Sequence, residues 1–207
     1  MTQIQVMMSQ IRKRTEPEDI AYSLYLYFLG LSLRNTSKAV SRFVKRSHTA
    51  IRDWIQKYKP EMLSSRKIRI TEFIIDETII KVGSEYIWLW IAIENDNREI
   101  LQINISKERN MFVAEHFILN LVKRYGEHPV STDGGTWYPQ ACRFLRLHHH
   151  IHSPYEKSII ERTIQYIKDR TECFDDYFPC RKNKCKLQHI QKWFNLFVSH
   201  YNNNLFS

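Results

Sequence analysis

Residues 72–94, EFIIDETIIKVGSEYIWLWIAIE, decide how this chain folds. Two runs rich in β-branched and aromatic residues, Glu72–Lys81 and Tyr86–Ile93, flank the turn signal Gly83-Ser84. That pattern predicts an antiparallel hairpin. A third run, Glu99–Ile105, follows the turn residues Asn95-Asp96-Asn97 and extends the hairpin to a three-stranded meander. Asp76 lies inside the first of these strands. A carboxylate within an apolar run is costly unless it binds something.

Working toward the C-terminus, the apolar period lengthens from 2 to 3.6 residues. A helix is expected over Met111–Tyr125, with Phe112, Phe117, Leu121 and Val122 among its apolar positions. A short strand at Pro129–Thr132 runs into Asp133-Gly134-Gly135. A short helix near Tyr138–Phe144, a strand near Leu145–Ile151 and a long helix from about Pro154 to Arg170 follow. The order βββαβαβα describes an α/β mixed sheet flanked by helices. Strands one and four are commonly neighbours in such a sheet, which brings Asp76 toward Asp133, and Glu161 on the long helix can close the cluster. Carboxylates crowded in this way repel one another unless a cation sits among them. Hard oxygen ligands with open positions suit Mg²⁺ or Mn²⁺. Two such ions about 4 Å apart serve in-line phosphoryl transfer. Taken singly, each acid also has an ordinary reading, as an edge residue, a turn former or a solvated helix position.

Upstream, helical periodicity dominates. Pro17 opens a run with Ile20, Leu24, Tyr27 and Phe28 on one face, ended at Gly30. A second short helix has Leu33, Val40 and Phe43 as candidate core residues. A third has Ile51, Trp54, Ile55 and Tyr58 on one face, Ser47 as N-cap and Pro60 at its close. Arg46, Ser47, His48, Thr49, Arg52, Gln56 and Lys59 are left to point outward, at the end where recognition helices meet base edges and phosphates. This is an all-α helix-turn-helix arrangement, and the alternative is a three-helix bundle with a solvated basic face. The expected organisation is a DNA-binding domain over residues 1–60, a basic linker over 61–71 and a catalytic domain over 72–207 that includes a C-terminal helix.

The net charge of +9 is concentrated, with +9 in residues 1–70, −3 in 71–150 and +3 in 151–207. A basic module joined to an acidic middle fits a polyanion partner, double-stranded DNA, better than a membrane surface. The longest apolar run, Tyr22–Leu31, is about half of the roughly 20 residues needed to span a bilayer. The first residues lack the apolar stretch of a secretory signal, so the expected location is cytoplasmic and nucleoid-associated. The five glycines build neither a dinucleotide fingerprint nor a Walker loop, and no nucleophile elbow or H-E-x-x-H motif occurs.

The segments GLSLRNTSKAVSRFVKRSHTAIRDWIQKY (30–58), IIDETIIKVGSEYIWLWIAIE (74–94), VSTDGGTWYPQA (130–141) and EKSIIERTIQYIKDR (156–170) together resemble prokaryotic insertion-sequence transposases of the DDE type. The likeness is to insertion-sequence family six, whose core is like that of retroviral integrases. The resemblance implies a ribonuclease-H-like catalytic core in which Asp76, Asp133 and Glu161 hold Mg²⁺ or Mn²⁺, two ions per site. It also implies a basic residue seven positions after the glutamate, here Lys168, on the same helical face. Only 27 residues separate Asp133 from Glu161, fewer than the family usually shows, and Glu156 is the competing carboxylate. The implied function is binding of element ends, strand cleavage and strand transfer by a homodimer or larger assembly on DNA. The rival readings are a non-catalytic helix-turn-helix DNA-binding protein, whether a regulator or a decayed transposase, and a nuclease that cuts without joining.

Cys173, Cys180, Cys185 and His189 have the makings of a small zinc site, but no C-x-x-C pair is present and free thiols are the simpler reading. His148, His149, His150 and His152 cannot all share one ion on a strand, because successive side chains alternate faces. Trp137 and Tyr138, beside Asp133, are either stacking platforms for an unpaired base or core residues. The terminal helix, Lys186–Tyr201, carries the stripe Leu187, Ile190, Phe194 and Phe197.

Overall fold

The structure, a computed structural model, describes residues 15–57, 69–180 and 186–205. The described residues divide into two compact units, one formed by 15–57 with 179–180 and 186–204 and the other mainly by 69–178.

In the first unit, α1 (Pro17–Phe28), α2 (Leu33–Val40) and α3 (His48–Lys57) pack with α7 (Leu187–Asn204). Ile20, Leu24, Phe28, Val40, Ile51, Trp54 and Ile55 are buried, as their helical spacing requires. Phe43 is not: it is 77% exposed, because it lies beyond the last turn of α2 rather than on its inner stripe. The C-terminal helix, expected as the end of the domain over 72–207, packs in this unit. Trp193 Nε1 donates to the Tyr27 hydroxyl at 3.0 Å, and Phe28 packs against Trp193 and Phe197. These aromatic contacts, together with buried Ile190 and Phe194, bind α7 to the N-terminal helices. Most of the expected linker, 61–71, lies outside the described residues.

The second unit is a five-stranded sheet in the order β3-β2-β1-β4-β5. Strands β1 (Phe73–Val82), β2 (Glu85–Glu94) and β3 (Ile100–Ser106) form the expected antiparallel meander. Strands β4 (Val130–Thr132) and β5 (His149–Ile151) add in parallel on the other side of β1. With α4 (Met111–Tyr125), α5 (Trp137–Phe144) and α6 (Pro154–Thr171), this is the expected α/β mixed sheet flanked by helices. The last strand is shorter than its expected span of Leu145–Ile151. Arg146 adopts a left-handed conformation (φ 57°), so residues 145–148 turn out of α5 before pairing begins.

Period-2 alternation sorts the side chains of β1 onto two faces. Phe73 and Ile75 join Trp90, Ala92, Val130 and the inner faces of α4 and α5 in one core. Within α4 that inner face is Ala114, Phe117, Ile118 and Leu121, whereas Phe112 points to solvent at 74% exposure. Glu72, Ile74 and Asp76 point to the other face, where α6 lies against β1 with Ile159, Ile160, Ile164 and Ile167 buried. Ser153 caps α6 in a full capping box with Glu156. Replacing Ser153 by Ala is expected to cost about 1 kcal/mol, read as a fall of a few degrees in Tm with the circular dichroism spectrum unchanged.

Candidate functional site

The rungs Phe73↔Val130 and Ile74↔Ser131 bring two acids together. Carried two residues further, this parallel register sets Asp76 beside Asp133, with both side chains on the same face. Asp133 leaves the sheet at the end of β4 and is exposed. The Asp133 carboxylate accepts from Gly135 N–H at 2.9 Å, which shapes the turn. Gly134 has φ 87°, a backbone that disfavours a side chain. At Gly135 a Cβ would meet the Trp137 ring at 2.8 Å, so the second glycine makes room for that indole.

Asp76 is half-buried, and its Oδ1 accepts from the Glu77 N–H at 2.8 Å. Burial pushes its pKa up from 3.8 to about 7, and the carboxylates of Glu77, Asp133 and Glu161 push the same way. Carboxylate oxygens of Asp76, Glu77 and Asp133 lie within 4.8 Å of one another. An all-oxygen, anionic donor set with an exposed side fits a hard divalent cation.

Glu161 stands on the exposed face of α6, outside that 4.8 Å group, with Lys157 Nζ 3.9 Å from its carboxylate. Its competitor Glu156 is committed elsewhere: one carboxylate oxygen accepts from Ser153 N–H at 2.7 Å and Ser131 Oγ at 2.8 Å. Lys168 is exposed about two turns, or ~10 Å, further along α6. It lines a cavity of about 340 Å³ with Ile79, Ile80, Lys81 and Gln165.

Sequence reasoning missed the arrangement behind Asp76. Glu77 points to the buried side of β1, where its carboxylate meets Arg109 Nη2 at 2.8 Å and accepts from the Tyr138 hydroxyl. The Arg109 guanidinium lies over the rings of Trp88 (4.6 Å) and Trp137 (4.0 Å). Tyr138 is therefore a fully buried core residue and not a platform for a base. Its hydroxyl pKa is raised well above 10 by burial and by the Glu77 carboxylate. A second acid in FIIDETII on the core-facing register was the one available sign of this network; nothing in the sequence pointed to Arg109.

In the first unit, His48 and Thr49 are exposed at the start of α3, and Ser47 Oγ accepts from Ala50 N–H at 3.3 Å as a cap. Arg46 donates to Thr15 Oγ1 at 2.7 Å and to Lys45 O at 3.0 Å, and Arg52 pairs with Asp53 at 3.3 Å. Gln56 departs from expectation: its side-chain amide donates to Pro179 O at 3.1 Å, so it faces into the unit and not outward. Lys59 lies outside the described residues, as does Cys185. Cys173 belongs to the second unit and Cys180 to the first, and His189 Nδ1 already accepts from Lys186 N–H at 3.0 Å. No helix among the described residues is long and apolar enough to cross a membrane.

Residues 70–199 match the family model of the DDE domain of IS240-type transposases. The match spans more than half of the chain, and the chain belongs to this family of transposases, which are polynucleotidyl transferases. Uncharacterized protein MJ0017 of Methanocaldococcus jannaschii is 34% identical over 178 residues, 86% of this chain and 82% of that protein. Among solved structures, the catalytic core of BIV integrase gives a TM-score of 0.46 at 17% identity, covering 63% of this chain and 83% of that one. The HTLV-2 integrase catalytic core in complex with magnesium gives 0.45 at 15% identity, covering 65% and 84%.

Proposed function

We propose that this transposase binds the ends of an insertion sequence through α3 and cuts and joins DNA strands with Asp76, Asp133 and Glu161. The observation that carries the reading is the in-register placement of Asp76 beside Asp133, with the Asp76 carboxyl pushed up to about 7 in that company. Asp76 and Asp133 supply the inner oxygens for Mg²⁺ or Mn²⁺. Glu161, whose charge reaches Asp76 from the exposed face of α6, is the third ligand. Divalent ions held by these carboxylates would supply activation of the attacking oxygen and stabilisation of the leaving one.

The chain's own residues do the positioning. The Glu77 N–H fixes one oxygen of Asp76, and the Gly135 N–H fixes the Asp133 carboxylate, so both acids are aimed before DNA arrives. Arg109 and Tyr138 fix the Glu77 carboxylate at the edge of the cluster and offset its charge. Lys168, on the same α6 face as Glu161, steadies a DNA phosphate. The chemistry is attack by water to free a 3′-hydroxyl, then attack by that hydroxyl on a target phosphodiester. Holding two ends at once requires a homodimer or a larger assembly on DNA.

The test is incubation of purified protein with duplexes carrying the element's terminal sequences. Nicks at the element boundary that require Mg²⁺ or Mn²⁺ support the reading; binding without nicking under either metal supports a DNA-binding protein with a silent core.

For recognition, Ser47, His48, Thr49 and Arg52 read base edges while Arg46 and Lys59 contact phosphates. Replacing His48 and Thr49 together by Ala is expected to weaken binding to terminal DNA about tenfold or more, with little change on random DNA. Gln56→Ala is expected to lower Tm without altering that preference, because its amide is spent on Pro179. Fluorescence anisotropy on the two DNAs separates these outcomes.

A further inference from the structure

Four residues before Asp76 on the same face of the sheet, a second cluster joins three elements. Glu72 precedes β1, His150 is the middle residue of β5 and Glu156 stands in the first turn of α6. Both glutamates are more than nine-tenths buried, at 8% exposure each. His150 Nε2 is 3.3 Å from a Glu72 carboxylate oxygen and 3.5 Å from Glu156 Oε1. Ligand atoms of all three residues fall within 4.8 Å of one another.

Glu156 is hydrogen-bonded to both Glu72 and His150, but one imidazole hydrogen does not account for both histidine contacts. Nε2 carries at most one hydrogen and cannot serve two carboxylates, and charge-assisted N–H···O bonds are shorter, about 2.7–2.9 Å. A tetrahedral centre bonded at about 2.0–2.1 Å, as zinc is to histidine and carboxylate, sets its ligand atoms roughly 3.3–3.4 Å apart. The two separations, 3.3 and 3.5 Å, lie at that edge length and slightly above it.

Glu156 is also prepared as a ligand. Its Oε2 is held by Ser153 N–H and Ser131 Oγ, which leaves Oε1 turned to the cluster. Such outer hydrogen bonds are how proteins aim a ligating carboxylate. Glu72 faces Glu156, and burial together with that neighbour pushes its pKa to about 7. A cation between the two acids removes this conflict.

We propose that Glu72, His150 and Glu156 form a second cation site, separate from the Asp76–Asp133 pair, that takes one zinc-class divalent ion. One imidazole nitrogen among two carboxylates favours Zn²⁺ over Mg²⁺, which takes oxygen ligands in near-octahedral geometry. The ion ties the N-terminus of α6 to β1 and β5 and so sets the position of the helix that carries Glu161. It plays no part in strand chemistry.

The test uses the full chain carrying Asp133→Asn, so that the other carboxylate pair is disabled and no cleavage is read. Zn²⁺ bound after equilibrium dialysis is compared with the same chain bearing Glu72→Gln or His150→Gln. The expected result is a loss of one zinc per chain in each variant, and loss in both of the Tm increase that Zn²⁺ gives the parent. Cobalt(II) in the parent is expected to show a band set attributable to nitrogen and oxygen ligands that disappears in both variants, which separates this site from the cysteines. Glu72→Gln is nearly isosteric and relieves a buried like-charge contact, so its metal-free Tm is expected to be unchanged or higher. Equal zinc content in the parent and both variants, or no zinc retained by the parent, overturns the proposal. The cluster is then a histidine set between two carboxylates with no metal role.

Discussion

Asp76→Asn is expected to abolish metal-dependent strand cleavage, by at least ~10³-fold, and yet to make the metal-free protein more stable at pH 8. Both effects come from one carboxylate. Burial and three neighbouring acids hold its pKa near 7 in the fold, against 3.8 for an unperturbed aspartate. The folded state therefore binds this proton more tightly than the unfolded chain does. The stability it brings is fully present below about pH 4 and is lost as pH rises through about 7. Above that pH the fold carries a charge it holds poorly. Asparagine keeps the shape and removes the charge, so the metal-free Tm of the variant should change less between pH 5 and pH 8. Divalent cation should raise the Tm of the natural protein more at pH 8 than at pH 5, and this difference should shrink in the variant. A variant that cleaves normally, or one less stable than the parent at pH 8, contradicts the assignment.

The second large effect is expected at Arg109. Its guanidinium is the counter-charge of Glu77, whose side chain is only 2% exposed. Arg109→Ala leaves that carboxylate without its counter-charge, and removing one member of a buried pair costs about 3 kcal/mol. On a unit of this size that is a Tm loss on the order of 10 °C. The freed Glu77 lies next to Asp76 and Asp133, so cleavage should also fall, on the order of 10- to 100-fold, the usual range for residues that support metal ligands. Arg109→Lys should recover little, because an ammonium does not reproduce a planar guanidinium between two indoles. Adding Glu77→Gln to Arg109→Ala should restore part of the stability by removing the stranded charge. Thermal unfolding of the four proteins in this cycle decides the matter, and strict additivity would mean that the two side chains do not interact.

Why some of this was readable from the sequence and some was not follows from the range of the interactions. Alternation of residue types and Gly83-Ser84 define the hairpin locally, and Pro154 with the Ser153 cap defines the start of α6. Asp76 could be singled out because a charge in an apolar run violates the local pattern. Its pairing with Asp133 needed only the neighbouring of strands one and four, a rule of the topology. The misses depended on distant partners. Phe43 and Phe112 are apolar by type, but their helical phase is set by what their helices pack against. Trp193 and Phe197 meet Phe28 across most of the length of the chain, so contiguity could not show that α7 packs on the N-terminal helices. Arg109 is one of many surface-type residues until Glu77, Trp88 and Trp137 surround it. Glu156 and Glu161, five residues apart and so on different faces of the helix, also differ in hydrogen bonding: one oxygen of the first is held by Ser131 and Ser153, while the second is exposed.

The most direct measurement is a strand-transfer assay. Purified protein is mixed with terminal element DNA and a target plasmid in Mg²⁺ or Mn²⁺, with Asp133→Asn run beside it. The account predicts joined donor–target product from the natural protein only, and only with metal. Equal DNA binding by both proteins with no joined product from either would contradict a working Asp76–Asp133–Glu161 centre.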